Sequence, residues 1–302
     1  MAHRAGFAAI VGRPNVGKST LLNRLLGQKL AIVSNKPQTT RGKILGVVTR
    51  PDSQIALVDT PGLHTAKGGL NARMVHAALQ TISDADVVLF LIEAGPPAID
   101  AATRKALEQV IAAQKPTLLV INKIDILPRK ALLPLIGRWK DLHQWTDVYP
   151  LSALKGENVD GLLNVVAKYL PEAPAMFPAE QWTDAQERDI CSELIREQIL
   201  RQTGQEVPYS TAVLIEEFDE TQRQVGPKGL VRITATVLVE RDSQKAILIG
   251  KGGLKLKEIG TKARLEMERL LSAKVFLTLH VRVEPGWTRS AKGMQRAGYD
   301  ER

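Results

Sequence analysis

Three stretches of the chain are apolar almost without interruption: GFAAIVG near the start, ADVVLFLIE at 85–93 and PTLLVINKID at 116–125. Runs of that length predict strands buried on both faces. KILGVVTR and QIALVDTPG are predicted to pair as strands around a turn at Pro51 and Asp52, and TDVYPLSA reads as a weaker last strand. Between them, helical periodicity spans 20–27, 71–83, 100–114, 130–139 and 159–169. Buried strands alternating with helices of this length predict an α/β domain with a mostly parallel sheet covered on both faces. Its ligand belongs beyond the carboxyl ends of the strands.

That rhythm stops at YLPEAPAMFPAEQWTD, where Pro171, Pro174 and Pro178 block helix and strand alike. The boundaries expected are a first domain over 5–172, a linker over 173–184 and a second domain over 185–302. Met176, Phe177 and Trp182 are expected to pack part of the linker. Beyond it, DAQERDICSELIREQILRQTG predicts a helix with Asp184 as N-cap, Glu187 three residues on and Gly204 at its close. Then come two strands, PYSTAVLIEEFDE and GLVRITATVLVER, a short helix in QKAILIG, the loop GKGG, a longer helix in LKLKEIGTKARLEMERLLS and a last strand, AKVFLTLHVRVE. The order predicts a smaller α+β domain, a sheet with helices on one face.

Composition narrows the partners. A chain of 302 residues suits two domains, and its net charge of +9 suits a polyanion, either nucleic acid or an acidic membrane surface. The single cysteine, Cys191, rules out an internal disulfide framework and suits a reducing compartment. No apolar stretch has the length of a signal sequence or a membrane span. The expected location is the cytoplasm, with peripheral membrane contact left open.

Four motifs fall on the predicted strand ends. In GRPNVGKST, Gly12, Gly17, Lys18 and Ser19 fit the phosphate-loop pattern, with a strand before and a helix after. The glycines let backbone N–H groups converge on phosphate, Lys18 neutralises phosphate charge, and Ser19 offers a hydroxyl to Mg2+. Thr20, next along the helix, is placed in the same pocket. In DTPG, Asp59 can hold Mg2+ through water and Gly62 can offer its N–H to a terminal phosphate. In NKID, the Asp125 carboxylate can accept both the N1–H and the exocyclic N–H of guanine, a donor pair that adenine lacks. Asn122 can brace the base, and the stem of Lys123 can cover its face. In SAL, Ser152 to Leu154, the Ala153 N–H is placed to meet the guanine carbonyl.

Residues 7 to about 170 therefore resemble a Ras-like GTPase of the translation-factor-related bacterial branch. The resemblance implies GTP and GDP as ligands with Mg2+. It also implies that Thr40 of PQTTR ligates the metal in the GTP state, with Thr39 as the second choice, since spacing does not separate them. Lys18, Thr40, Gly62 and Asn15 are the residues it assigns to catalysis. One departure stands out: many relatives carry a water-positioning glutamine after the glycine of Asp-x-x-Gly, and this chain has Leu63. Leucine can neither orient water nor accept a proton, so unassisted hydrolysis is expected to be slow. Asn15 resembles an asparagine that helps hold K+ near the phosphates in related GTPases, and it also fits its turn without an ion. His64 is expected to be a solvated histidine rather than a base.

In the second domain, Gly250-Lys251-Gly252-Gly253 matches the Gly-x-x-Gly loop of a KH domain, and the element order resembles the bacterial, second type of that fold. Glycines let a nucleic-acid backbone approach closely, and Lys251 and a helix N-terminus face its phosphates. Lys255, Lys257, Lys262 and Arg264 extend a basic track in which only Glu258 opposes. Ile249 and Ile259 are assigned to groove and core, and Trp287 to base stacking or to packing of the tail. With PQTTR, DTPG, NKID and SQKAILIGKGG together, nearly the whole chain resembles the Era family of bacterial GTPases. The resemblance implies a factor that assembles the small (30S) ribosomal subunit, and no extra interface element in the sequence argues against a monomer. It further implies binding to single-stranded 16S ribosomal RNA near its 3′ end, with peripheral association at the inner membrane. The alternatives are a GTPase switch at membrane or protein surfaces with a structural KH unit, and an RNA chaperone whose nucleotide turnover is incidental.

Overall fold

The computed structural model describes residues 2–36, 39–63, 69–95, 99–204, 207, 210–226 and 229–299. The chain separates into two compact units, with the main division between Asp184 and Ala185.

The first unit is a six-stranded sheet in the order β2-β3-β1-β4-β5-β6. The strands are β1 (Arg4–Gly12), β2 (Ile44–Thr49), β3 (Ser53–Asp59), β4 (Val87–Glu93), β5 (Thr117–Asn122) and β6 (Asp147–Pro150). The hairpin partner β2 runs antiparallel to β3, and every other pairing is parallel. Among the described residues, five α-helices accompany the sheet: α1 (Lys18–Leu26), α2 (Gly69–Asp84), α3 (Ala101–Ala112), α4 (Arg129–Lys140) and α5 (Val159–Lys168). All six residues of β5 are buried, as an unbroken apolar run requires, and so are all seven of β3, its polar Ser53, Gln54 and Asp59 included. The register pairs Ile10 with Asp59 and Glu93 with Asn122. It thereby brings Gly12, Asp59, Glu93 and Asn122 to one edge of the sheet, where the motif loops begin.

The connector is more ordered than its prolines suggest. Buried Gln54 accepts from the Met176 and Phe177 N–H groups at 2.7 and 2.9 Å and donates to the Phe177 carbonyl at 2.8 Å. Val47 N–H donates to the Trp182 carbonyl at 2.8 Å, and the Thr183 hydroxyl donates to the Leu45 carbonyl at 2.7 Å. The segment thus docks at its start on Arg4 of β1, in its middle on Gln54 of β3 and at its end on the edge strand β2, where it satisfies groups that would otherwise face solvent. This corrects the expected cap of the next helix: with Thr183 bridged to Gly46 of β2, that helix starts at Glu187 and its N-cap is Gln186, not Asp184.

The second unit runs α6 (Glu187–Gln202), β7 (Ala212–Gln222), β8 (Leu230–Val239), α7 (Asp242–Ile249), α8 (Leu254–Leu271), β9 (Lys274–Val283) and a short tail helix, α9 (Ala291–Arg296). Its sheet is ordered β7-β8-β9, antiparallel then parallel, with α6 and α8 packed together against it. Cys191 is fully buried in α6, and burial pushes its thiol up to about 12, as suits an inert packing residue. Trp287 is wholly buried, donates from Nε1 to the Ser210 carbonyl at 3.0 Å and stacks on Tyr299. It packs the tail and is not offered for base stacking. Among the described residues, no helix is long and apolar enough to cross a membrane.

Candidate nucleotide site and nucleic-acid groove

The loop between β1 and α1 wraps an anion-sized nest. Gly17 takes φ 100° as the N-cap of α1, and Asn15 takes φ 66°. With no cap side chain on Gly17, the first N–H groups of α1 remain directed outward, the arrangement that binds phosphate. Lys18 is buried, with its ammonium 3.2 Å from the Gly12 carbonyl and 3.0 Å from that of Arg13. Burial lowers its pKa to about 8, against the opposing pull of Asp59. A phosphate in the nest would favour the charged ammonium that burial disfavours. Thr20 is half-buried just behind, on the first turn of α1.

Three oxygen side chains converge beside Lys18. The Ser19 hydroxyl donates to Asp59 Oδ2 at 2.7 Å, the Thr40 hydroxyl to the same oxygen at 3.2 Å, and the two hydroxyls lie 3.0 Å apart. Asp59 is fully buried, and its Oδ1 has no hydrogen-bond partner. Desolvation pushes its carboxyl upward, while Lys18, Ser19, Thr40 and the Thr60 N–H draw it back. A buried carboxylate oxygen without a partner, flanked by two hydroxyls, fits a hard divalent cation. Thr39 turns elsewhere: its hydroxyl donates to the Lys36 carbonyl at 2.6 Å and lies 2.9 Å from the Ser34 hydroxyl.

Gly62 sits where a Cβ would fall 2.7 Å from Pro14 N, so the DTPG turn packs directly on the phosphate loop. Leu63 follows with its N–H on the Gly12 carbonyl and its side chain buried among Val11, Phe90 and neighbouring core residues. It is a core residue. Leu63→Gln is therefore expected to bury an unpaired amide and cost about 1–3 kcal/mol of stability without raising turnover. A melting curve beside a single-turnover assay checks both halves. His64 lies outside the described residues. Asn15 is exposed and donates from Nδ2 to the Asn35 carbonyl at 2.8 Å.

The base end is built from β5 and the turn after β6. Asn122 is buried and donates from Nδ2 to the Val16 carbonyl at 2.8 Å, while its Oδ1 accepts from the N–H groups of Lys123 and Ala153 at 2.8 and 2.9 Å. Ser152 donates to Asp125 Oδ1 at 2.6 Å, and Asp125 is otherwise open to solvent. Lys123, at φ 65°, pairs with Glu93 at 2.9 Å. Glu93 was not singled out in the sequence, although the parallel register that sets it beside Asn122 makes the pair intelligible.

In the second unit, the glycine loop joins α7 to α8. Gly250, Gly252 and Gly253 take φ of 68°, 60° and 78°, and a Cβ on Gly250 would meet Lys255 Cβ at 2.6 Å. Lys251 is exposed at the tip. A groove runs from Gly253 between α8 and β9, lined by Leu256, Lys257, Gly260, Arg264, Leu277 and Leu279. Ile259 is buried beneath it and Ile249 is half-buried. The basic track is partly compensated: Lys262 and Lys255 lie 2.9 and 3.9 Å from Glu258, and Arg264 pairs at 2.8 Å with Glu268, an acid outside the expected interval. Among the described residues, Lys251 and Lys257 make no ion pair.

Sheet, phosphate loop and base pocket together define a P-loop GTPase, here joined to a KH fold. The family model for a 50S ribosome-binding GTPase matches residues 7–123, and the KH-domain model matches residues 206–288. GTPase Era of Syntrophus aciditrophicus is 45% identical over 298 residues, covering 99% of this chain and 96% of that one. Two crystal structures share 41% identity and cover 99% of this chain and all of theirs. One is Era with MgGDPNP and nucleotides 1506–1542 of 16S ribosomal RNA, at TM-score 0.93. The other is a variant of Aquifex aeolicus Era bound to GDP·AlF4−, at TM-score 0.92. The chain belongs to the Era family of GTPases.

Proposed function

We propose that this GTPase binds the single-stranded 3′ region of 16S ribosomal RNA through its glycine-loop groove and acts in maturation of the 30S subunit. The observation that carries the reading is the presence, on one chain, of a guanine-type pocket and an open Gly-Lys-Gly-Gly loop at the head of an apolar, basic-rimmed groove. The relative crystallised with 16S RNA, similar along the whole chain, supports the choice of RNA.

In the nucleotide site, Lys18 and the N–H groups of the Gly12–Ser19 loop hold the phosphates. Ser19, Thr40 and Asp59 would hold Mg2+, which neutralises phosphate charge when bound. Thr40 is preferred to Thr39 because it alone of the two shares Asp59. Gly62 presents its N–H to the terminal phosphate. Asn122, Lys123, Asp125, Ser152 and Ala153 bind guanine. Asn15, holding the Asn35 carbonyl beside the phosphates, is the residue through which K+ would act. Residues 173–184 serve as the linker between the GTPase and KH units. RNA contacts are assigned to Gly250–Gly253, Lys255, Lys257, Lys262 and Arg264. We place the protein in the cytoplasm as a monomer, and the net charge of +9 supports peripheral contact with an acidic membrane face as the finer reading.

The test is GTP hydrolysis by the full chain with and without a single-stranded RNA copying the 16S 3′ end, in K+ and in Na+. RNA is expected to raise turnover several-fold, and Lys251→Glu is expected to abolish that stimulation while intrinsic hydrolysis persists. RNA that binds without stimulating would remove it as the direct activator. RNA binding unchanged by Lys251→Glu combined with Lys255→Glu would favour the structural-KH alternative.

A further inference from the structure

Arg24 lies on the last turn of α1, outside every motif of the nucleotide site. Its Nε donates to the Ala153 carbonyl at 3.1 Å and its Nη2 to the Leu154 carbonyl at 2.6 Å. The guanidinium rests against the same turn, since a Cβ on Gly156 would lie 3.7 Å from it. The turn itself is closed by Gly156 N–H on the Ser152 carbonyl at 2.8 Å and Ser152 N–H on the Glu157 carbonyl at 3.0 Å.

This loop carries Ser152, which braces Asp125, and Ala153, whose N–H the sequence offered to the base and which Asn122 Oδ1 holds at 2.9 Å in this structure. One tie already fixes it to the phosphate loop: Asn122 donates to Val16 and accepts from Ala153. Arg24 supplies a second tie from the helix that begins at Lys18. Phosphate loop, Asn122, base loop, Arg24 and α1 therefore close a ring. The guanidinium grips the Ala153 and Leu154 carbonyls, while the N–H groups of Ala153 and Lys155 go to Asn122 Oδ1 and Ser152 Oγ at 2.9 and 3.1 Å, so the loop is held from both directions. A planar fork suits two adjacent carbonyls better than a point charge does.

We propose that Arg24 is a positioning residue for guanine recognition: it fixes the base-reading loop to the phosphate-binding helix without touching nucleotide. The inference rests on the assignment of Asp125 and the 152–154 loop to the base. Because Arg24 is exposed, its contribution is modest, and it belongs to base binding and not to phosphate binding.

The experiment compares wild type, Arg24→Ala and Arg24→Lys in the full chain, reading release of fluorescent GDP and competition by GDP and by ADP. ADP reports the phosphate contacts with the guanine-specific ones removed. Arg24→Ala is expected to speed GDP release about five- to tenfold, the size of one or two charge-assisted hydrogen bonds at a partly exposed site. Arg24→Lys is expected to fall between it and wild type, and ADP affinity is expected to stay constant. Equal weakening of GDP and ADP would overturn the proposal. So would unchanged GDP release with a lowered melting temperature, which would leave Arg24 as a charge on a helix C-terminus. A wild-type protein without preference for GDP over ADP would instead fail the base-site assignment itself.

Discussion

Asp125→Asn is expected to exchange guanine for xanthine. The Asp125 carboxylate already accepts the Ser152 hydroxyl on Oδ1 and stands open to solvent on its other side. That geometry can take two N–H donors from one base edge. An amide replaces one acceptor by a donor, so the exocyclic amine of guanine would meet an N–H group. An unpaired, partly desolvated polar group of this kind separates ligands by orders of magnitude, and GDP affinity is expected to fall about 100-fold or more. Xanthine carries a carbonyl where guanine carries its amine, so XDP should bind the variant within about tenfold of the wild-type affinity for GDP. Competition titrations with both diphosphates measure this directly. Parallel loss of GDP and XDP would mean that the loop had collapsed. Unchanged GDP affinity would take Asp125 out of the base site.

The nucleotide site was legible because each of its motifs depends on local chemistry at a strand end. Buried strands announce themselves as unbroken apolar runs, and parallel order then carries all their C-termini to one edge. Thr40 and Thr39 could not be separated in sequence, because the choice depends on which hydroxyl the loop turns toward Asp59, a contact spanning 19 positions. Gln54 and Arg24 were invisible for a related reason. Each is an ordinary polar residue on a regular element, and its importance comes from backbone groups more than 120 positions away. The connector misled through its prolines: they exclude regular structure within the segment, but they do not prevent its two ends from bridging to strands β1 and β2. Trp287 had two readings in sequence. Burial of the whole ring decided between them, and no periodicity in so short a tail could have done so.

The second large effect concerns a glycine. At Gly17 the backbone is left-handed, with φ 100°, and a Cβ would lie 2.2 Å from Asn122 Nδ2. Left-handed backbone alone costs a non-glycine residue about 1–3 kcal/mol. The clash adds to this, because Asn122 cannot retreat without releasing the Val16 carbonyl and the Lys123 and Ala153 N–H groups it holds. Gly17→Ala therefore strikes the phosphate end and the base end at once. Its GDP affinity is expected to drop about 100-fold, which corresponds to roughly 2.7 kcal/mol. Gly27→Ala is the matched control: it caps the other end of α1 with φ 66°, and nothing lies within 4 Å of its Cβ position. It shares the backbone strain without the collision, so it should lower the melting temperature yet leave GDP affinity within about twofold of wild type. Equal affinity losses in the two variants would assign the effect to helix strain. A loss confined to Gly17→Ala would locate it in the contact between the phosphate loop and Asn122, the point where the two halves of the nucleotide site are held in register.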